Sequence, residues 1–450
     1  MKRISVLFVT AFLTACGGGG GGGAQAPAPT TPPVSNDPCS ITGQNQFVLD
    51  VMNDWYFWND LLPTDVNVGS YASPEELLGF LTSFQPVDRF SFIGSAAADS
   101  AFFGEGQFEG YGFRYRFVAD NTPQLLLVYE DGPAFRAGLR RGQVFVALNG
   151  RSIAEIQDNE GISAIFDLPS VDVTIRNLDN SEFTVTMTQD IVTIDPVPQF
   201  RIIDAGAGRS VGYLELTTFI STANSQMDEA INQFRINGVT EVILDLRYNG
   251  GGLVSTANLL GDLLGGGNFD TLEFSETRFN ADRAAAQNNA EFFERRTGSM
   301  NLERMVVIAS RGTASASELV TNSMDAYVTL GIVGDRTFGK PVGQSGFTFC
   351  EKILRPTTFE TVNALDFGDY FNGLPANCNA ADDPAIPVGD DTDPNIVAAL
   401  QFLEDQSCPP VTSTPDASSK PFGGEFGEFG EFEQPLYRPG PPHRELLDSY

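Results

Sequence analysis

Residues 313–340, reading TASASELVTNSMDAYVTLGIVGDRTFGK, contain a serine and a lysine whose settings suit joint chemistry. Thr313, Ala314, Ser315, Ala316 and Ser317 run into Glu318 and then the apolar positions Leu319, Val320, Met324 and Val328. That spacing predicts a helix starting near Ser315, where free backbone N–H groups and the positive end of the helix dipole favour a developing oxyanion. A serine hydroxyl is a weak nucleophile and needs a base. The only histidine is His443, inside a Pro/Gly-rich C-terminal stretch, which argues against a Ser-His-Asp triad. The Ser-Lys variant remains, and beyond residues 1–16 the lysines are Lys340, Lys352 and Lys420. Lys420 lies in the C-terminal stretch and Lys352 among polar neighbours. Lys340 sits between Phe338-Gly339 and Pro341-Val342, apolar company that favours a neutral amine.

Two strand ends must deliver this pair. The apolar run Val242-Ile243-Leu244 leads into DLRYNGGG, and MVVIAS, residues 305–310, leads directly into the Ser315 helix. A strand at residues 211–216, an amphipathic stretch carrying Met227, Ile231 and Phe234, and a helix over 253–264 complete an alternation of strands and helices. Such alternation indicates an α/β core with a largely parallel sheet, in which ligands sit where strands end and helices begin. Gly250, Gly251 and Gly252 let the backbone approach a substrate closely. One of them, with the Ala316 N–H, could form an oxyanion hole.

Residues 44–105 read as a helical N-terminal module. Phe47, Val48, Val51, Met52, Trp55 and Trp58 recur at helical spacing, Ser73-Pro74-Glu75-Glu76 opens a second helix, and the aromatic cluster DWYFWND reads as core. Residues 106–198 are strand-rich. Gly110-Tyr111-Gly112-Phe113, followed by DGPAFRAGLRRGQVFVALNG at 131–150, resembles a PDZ domain. The resemblance implies that Tyr111, Gly112 and Phe113 bind the carboxylate of a peptide C-terminus while the peptide adds a strand.

The sequence has 58 acidic and 27 basic residues, net −31, without a basic cluster, which argues against nucleic-acid binding. Lys2, Arg3, an apolar run over 4–13 and Leu-Thr-Ala-Cys ending at Cys16 resemble a bacterial lipoprotein signal. The resemblance implies lipidation of Cys16 and, with Gly17 following, an outer-membrane address facing the periplasm. Residues 17–43 form a Gly/Pro-rich tether and residues 409–450, with the repeat GGEFGEFGEFE, a low-complexity tail expected to be disordered. Cys39, Cys350, Cys378 and Cys408 suggest two disulfides among three possible connectivities. The favoured pairing joins Cys350 to Cys378 and Cys39 to Cys408. Neither CxxC spacing nor a histidine in the core supports a zinc site.

In combination, DLRYNGGG, TASASE and TFGKPVGQ behind the PDZ-like segment resemble the carboxyl-terminal processing (tail-specific) proteases of the Ser-Lys S41 peptidase family. The resemblance implies a ClpP/crotonase-like α/β protease core over residues 199–408, with the PDZ-like domain inserted in or preceding it. It implies Ser315 as nucleophile with Ser317 in support, Lys340 as general base 25 residues later, and Gln344 as the residue that orients the lysine. The glycine donor corresponds to Gly252, beside Ala316, with the register within the glycine run left open. Glu318 and Asp245 fall on acidic motif positions with structural or orienting roles. The implied activity is that of a serine endopeptidase cutting polypeptides near accessible C-termini, with no metal or cofactor. The alternative is a non-catalytic peptide-binding lipoprotein. Pro341 departs from the glycine usual after the lysine, which removes an N–H and fixes φ.

Overall fold

The computed structural model describes residues 37–409. The expectations for Cys16, for the signal and most of the tether, and for residues 410–450 lie outside the described residues.

The core is a six-stranded sheet in the order Phe200–Asp204, Ser210–Glu215, Glu241–Asp245, Arg304–Ala309, Thr329–Gly334 and Cys378–Asn379. The first pair is antiparallel and the other neighbours are parallel, as the alternation of elements predicts. Both faces are covered, which explains why the strands read as continuous apolar runs. Val242, Leu244, Met305 and Val307 face the helices Ala223–Ile236, Val254–Phe269 and Ala316–Asp325. Ile243, Val306, Ile308 and Val333 face the helix Pro394–Asp405, which supplies Ile396, Phe402 and Leu403. The register sets Asp245 beside Ile308, so the two loops that follow these strands leave the sheet side by side.

The N-terminal residues do not pack alone. The helices Ile41–Trp55 and Pro74–Thr82 share one apolar cluster with Phe349 and Leu354. The strand Phe92–Ser95 pairs with Lys352–Arg355, which pairs in turn with Phe347–Phe349. The first helix stops at Trp55, so Trp58 lies in the following turn and not on its apolar face. Of the DWYFWND cluster, Tyr56 is fully buried and Trp55, Phe57 and Trp58 are half-buried.

Residues 107–193 form the strand-rich body. Five strands, Phe113–Ala119, Thr122–Val128, Val144–Leu148, Ser170–Arg176 and Glu182–Thr188, lie in sequence order around their own apolar core. Gln107–Gly110 pairs with Asp190–Thr193, so the chain enters and leaves this body through one antiparallel neck.

The disulfides join Cys39 to Cys350 and Cys378 to Cys408, in place of the expected pairing. Cys350 occupies the turn between Phe347–Phe349 and Lys352–Arg355, and Phe349 stacks on Phe47 of the first helix at 4.8 Å between ring centroids. That packing brings Cys350 to the start of the first helix. Cys378 lies on the last strand of the core sheet, and Cys408 follows the helix that packs on the same sheet. Spacing along the chain carried none of this, because both pairings follow from packing.

Closing the loop between Cys378 and Cys408 restricts the unfolded chain and stabilises the fold by about 3 kcal/mol. The double substitution Cys378→Ser, Cys408→Ser lowers the unfolding free energy by about that amount, measured by urea titration at neutral pH.

Candidate functional site

Ser315 lies where the strand Arg304–Ala309 turns into the helix Ala316–Asp325. Hydroxyl groups fasten that turn to the neighbouring loop. Thr313 Oγ1 donates to the Leu246 carbonyl at 2.7 Å, and Ser317 Oγ donates to the Asn249 carbonyl at 2.9 Å. The Ala314 N–H also reaches Asn249 O, at 3.2 Å. Ser315 itself adopts φ +60° and ψ −116°, a region in which an L-residue is held only by its surroundings, at a cost of about 1–3 kcal/mol. Its Oγ is buried and has no hydrogen-bond partner among the described residues. A buried hydroxyl without a partner costs free energy, and such groups in native structures mark function.

Lys340 is buried, 3% exposed, and its Nζ donates to Gln344 Oε1 at 2.8 Å. The same Nζ lies 5.3 Å from the centre of the Phe90 ring. Gln344 is fully buried and donates its two amide hydrogens to the carbonyls of Phe90 and Arg355. Pro341 is accommodated without a lost ladder bond: its carbonyl accepts from the Thr361 N–H at 3.0 Å, and the strand Val342–Gln344 starts after it. Lys352 pairs with Glu75, away from this site.

Glu318 joins the two halves. Its Oε2 accepts from the Ser315 N–H and the Lys340 N–H, each at 2.8 Å. Its Oε1 accepts from the Gly339 N–H at 2.7 Å and from the Thr337 hydroxyl. Complete burial raises the pKa of this carboxyl above its ordinary value, and the bonds from Thr337, Lys340, Ser315 and Gly339 act in the opposite sense. The S-x-x-E spacing of Ser315 and Glu318 signals half of this arrangement in the sequence, as a helix cap. The other half depends on residues about 20 positions further on, which no local pattern announces.

The glycine run lies against the nucleophile turn. At Gly251, φ +108°, a Cβ would fall 2.8 Å from Ser315 Cβ and 3.0 Å from the Ala316 nitrogen. Gly251 N–H donates to Asn249 Oδ1 at 2.8 Å, and Gly251 O accepts from the Phe219 N–H and the Thr218 hydroxyl. Leu253 N–H donates to Phe219 O. The Gly252 N–H, between those two amides, is engaged by neither of these bonds. The Ala316 N–H opens the helix, where no intrahelical acceptor exists. Of the glycine run, Gly251 is the residue in close approach to Ser315 and to the Ala316 nitrogen, whereas Gly252 packs against the Phe219 backbone.

Behind the glycine run lies a buried charge network. Arg247 pairs with Asp245 at 2.7 Å, with Asp393 at 2.7 Å and with Asp382 at 3.3 Å. The strand-rich body contributes Arg141, whose Nη2 reaches Asp382 at 2.5 Å. Arg114 donates to the Tyr248 carbonyl and Arg141 to its hydroxyl. Asp382 is pushed up by burial, yet Arg141 and Arg247 hold it net below the usual carboxylate value. At Glu215 the balance goes the other way: burial first, then the charge of Asp245, outweigh the Gln199 bond and the charges of Arg247 and Arg141 and raise it from 4.5 to about 7.

The expected peptide-carboxylate residues lie at the start of the edge strand Phe113–Ala119. Tyr111 and Phe113 are fully buried, and the Tyr111 hydroxyl donates to Leu168 O at 2.5 Å. The carbonyls of Tyr111 and Gly112 accept from the N–H groups of Ala134 and Tyr129. Because the Gly112 carbonyl is bonded to the next strand, the antiparallel alternation turns the Phe113 N–H toward the unpaired side of the sheet. Among the described residues no cluster of His, Cys, Asp and Glu could hold a metal ion.

Two substitutions test these geometries. Ser315→Gly raises stability by about 1 kcal/mol relative to Ser315→Ala, because glycine accepts the positive φ that alanine does not; thermal unfolding of the two variants reads the difference. For Glu215, a raised folded pKa means that burying the carboxylate costs stability. The cost is absent below 4.5, grows as pH rises and is complete above about 7. Glu215→Gln is accordingly near neutral at pH 4.5 and stabilising by a few kcal/mol, roughly 3, at pH 8, measured by urea unfolding at both values.

Residues 210–365 match peptidase family S41, and residues 43–92 match the peptidase S41 N-terminal domain. The carboxyl-terminal-processing protease of Synechocystis is 27% identical over 248 residues, which is 54% of this chain and 55% of that protein. The C-terminal processing peptidase of Tetradesmus obliquus chloroplasts is 28% identical over 328 residues, 68% of this chain and 65% of that protein. The chain thus spans 42–65% of the length of the curated relatives it matches. A solved structure from Bacteroides fragilis, named for the S41 proteases, shares the fold with a TM-score of 0.64 at 24% identity, covering 80% of this chain and 97% of that one. The four central strands from Ser210–Glu215 to Thr329–Gly334, the serine turn and the lysine turn all fall within the matched residues, and over 43–92 and 210–365 the chain is similar to peptidase family S41.

Proposed function

We propose that the protein is a serine endopeptidase that cuts polypeptides near their C-termini through a Ser315–Lys340 dyad. The observation that carries this reading is Glu318: one carboxylate oxygen binds the backbone of both residues, beside a buried serine hydroxyl that has no hydrogen-bond partner among the described residues. The relatives are named as carboxyl-terminal-processing proteases, which agrees with this substrate class.

In the proposed reaction, unprotonated Lys340 takes the proton of Ser315 Oγ as that oxygen bonds to the scissile carbonyl carbon. The resulting oxyanion is held by the N–H groups of Gly252 and Ala316. Collapse of the intermediate breaks the C–N bond, and the Lys340 ammonium gives its proton to the leaving amine. Water, deprotonated by Lys340, then hydrolyses the acyl-Ser315 ester and restores the dyad. Gln344 holds the amine in place throughout.

The strand-rich body would act as a PDZ-like domain on a ClpP/crotonase-like core. The unpaired side of Phe113–Ala119 can accept a peptide as an added strand, with Tyr111, Gly112 and Phe113 around its carboxylate. Two disulfides suit an oxidising compartment, in line with an outer-membrane lipoprotein anchored at Cys16 and facing the periplasm. Among the described residues no helix is long and apolar enough to cross a membrane.

Ser315→Ala and Lys340→Ala each abolish cleavage of an unstructured polypeptide ending in an apolar residue, by a factor of about 10³ or more, while circular dichroism stays unchanged. Turnover retained in either variant would refute the dyad.

A further inference from the structure

We propose that Asp88 and Asp99, on the N-terminal segment, are positioning residues for the base: they fix the two carbonyls that aim the Gln344 amide at Lys340. This rests on the dyad reading given above.

Gln344 can present its oxygen to Lys340 only if its NH₂ group is occupied on the other side. Its Nε2 donates to Phe90 O at 2.5 Å and to Arg355 O at 2.9 Å. A flipped amide would set its oxygen against two carbonyl oxygens, two repulsive contacts in place of two hydrogen bonds, and would turn its NH₂ toward the lysine in place of the oxygen that accepts from it. The orientation of Gln344 is therefore decided by where those two carbonyls stand.

Neither carbonyl belongs to a residue near Gln344 on one strand, and each has its own buried carboxylate. Asp88 Oδ1 accepts from the Phe90 N–H and the Ser91 N–H, both at 3.0 Å, and from Thr357 Oγ1 at 3.1 Å. Its Oδ2 accepts from the Ser91 hydroxyl at 2.6 Å, while Ser91 Oγ accepts from the Thr357 N–H at 2.9 Å. Asp88 thus closes a tight turn around Phe90 and fastens it to Thr357, two residues after Arg355. Asp99 grips Arg355 by two parallel bonds of 2.8 Å, to Nε and Nη2. The side chains of this pair are 5% and 9% exposed. Bidentate geometry at that depth fixes the arginine strongly, and the pairing of Phe92 with Arg355 places the two clamps on adjacent strands. The two carboxylates hold the two acceptors of one NH₂ group, and the turn Asp88-Arg89-Phe90-Ser91 becomes a working part of the site.

The test uses the full chain and measures kcat and KM separately on an unstructured polypeptide. Asp88→Asn and Asp99→Asn each lower kcat at least about tenfold with KM unchanged. In a Gln344→Ala background the same substitutions lower kcat no further, since the amide they aim is gone. Asp262→Asn, at a buried carboxylate that binds Glu294 N–H and Arg296 outside the clamp, serves as the control and changes stability without changing kcat. Ser91→Ala and Thr357→Val each remove only part of the bonding around Asp88 and give smaller losses of kcat if Asp88→Asn fails to fold. Wild-type kcat in all of the clamp variants, or a full additive loss in the Gln344→Ala background, overturns the inference. Ser315→Ala run alongside separates the two levels: turnover there removes the dyad itself, whereas an inactive Ser315→Ala beside unaffected clamp variants removes only the positioning role.

Discussion

One buried carboxylate organises the site. Glu318 accepts four hydrogen bonds, two of them from the backbones of Ser315 and Lys340. A carboxylate taken out of water is stable only when its acceptor sites are filled, so the fold must bring the nucleophile turn and the lysine turn together to keep Glu318 satisfied. The same four bonds satisfy the acid and join the serine turn to the lysine turn. The strained backbone of Ser315 fits this account. Its φ of +60° is held by the Glu318 bond at its N–H, by the Asn249 contacts of Ala314 and Ser317, and by Gly251 packed against its Cβ.

The scaffold around that centre is economical in its division of labour. Parallel strands from both loops end at one level, because Asp245 is in register with Ile308. The loops then bond to each other through the hydroxyls of Thr313 and Ser317, which donate to the Leu246 and Asn249 carbonyls. The Arg247 network fixes the base of the glycine loop, and Arg114 and Arg141 extend that fixation to the strand-rich body.

Much of the core was legible in the residues. Val242-Ile243-Leu244 and the 305–310 run are buried on both faces, and such strands announce themselves by unbroken apolar character. The Ser315 helix start showed through its small residues and Glu318, and the lack of a core histidine singled out lysine. The disulfides were misread because cysteine spacing holds no information about which faces pack. Trp58 was misread because helical spacing continued past the point where Tyr56 turns inward and the helix ends. Asn249 and the full role of Glu318 were invisible because each acts through hydrogen bonds that involve backbone groups far along the chain, and a backbone group has no residue type to recognise; Asp88 was invisible because the Thr357 side chain that it binds lies 269 positions away.

That same separation has a consequence in time. Phe90 and Gln344 are 254 positions apart, and Cys39 and Cys350 are 311 apart. As the chain is made from its N-terminus, the segment that orients the base emerges long before the base does. Contacts of such range form late, because closing long loops must precede their reward. On the proposed reading, the lysine amine would be aligned only when almost the whole chain has folded around it. The long-range bonds around one amide would then delay activity until folding is nearly complete.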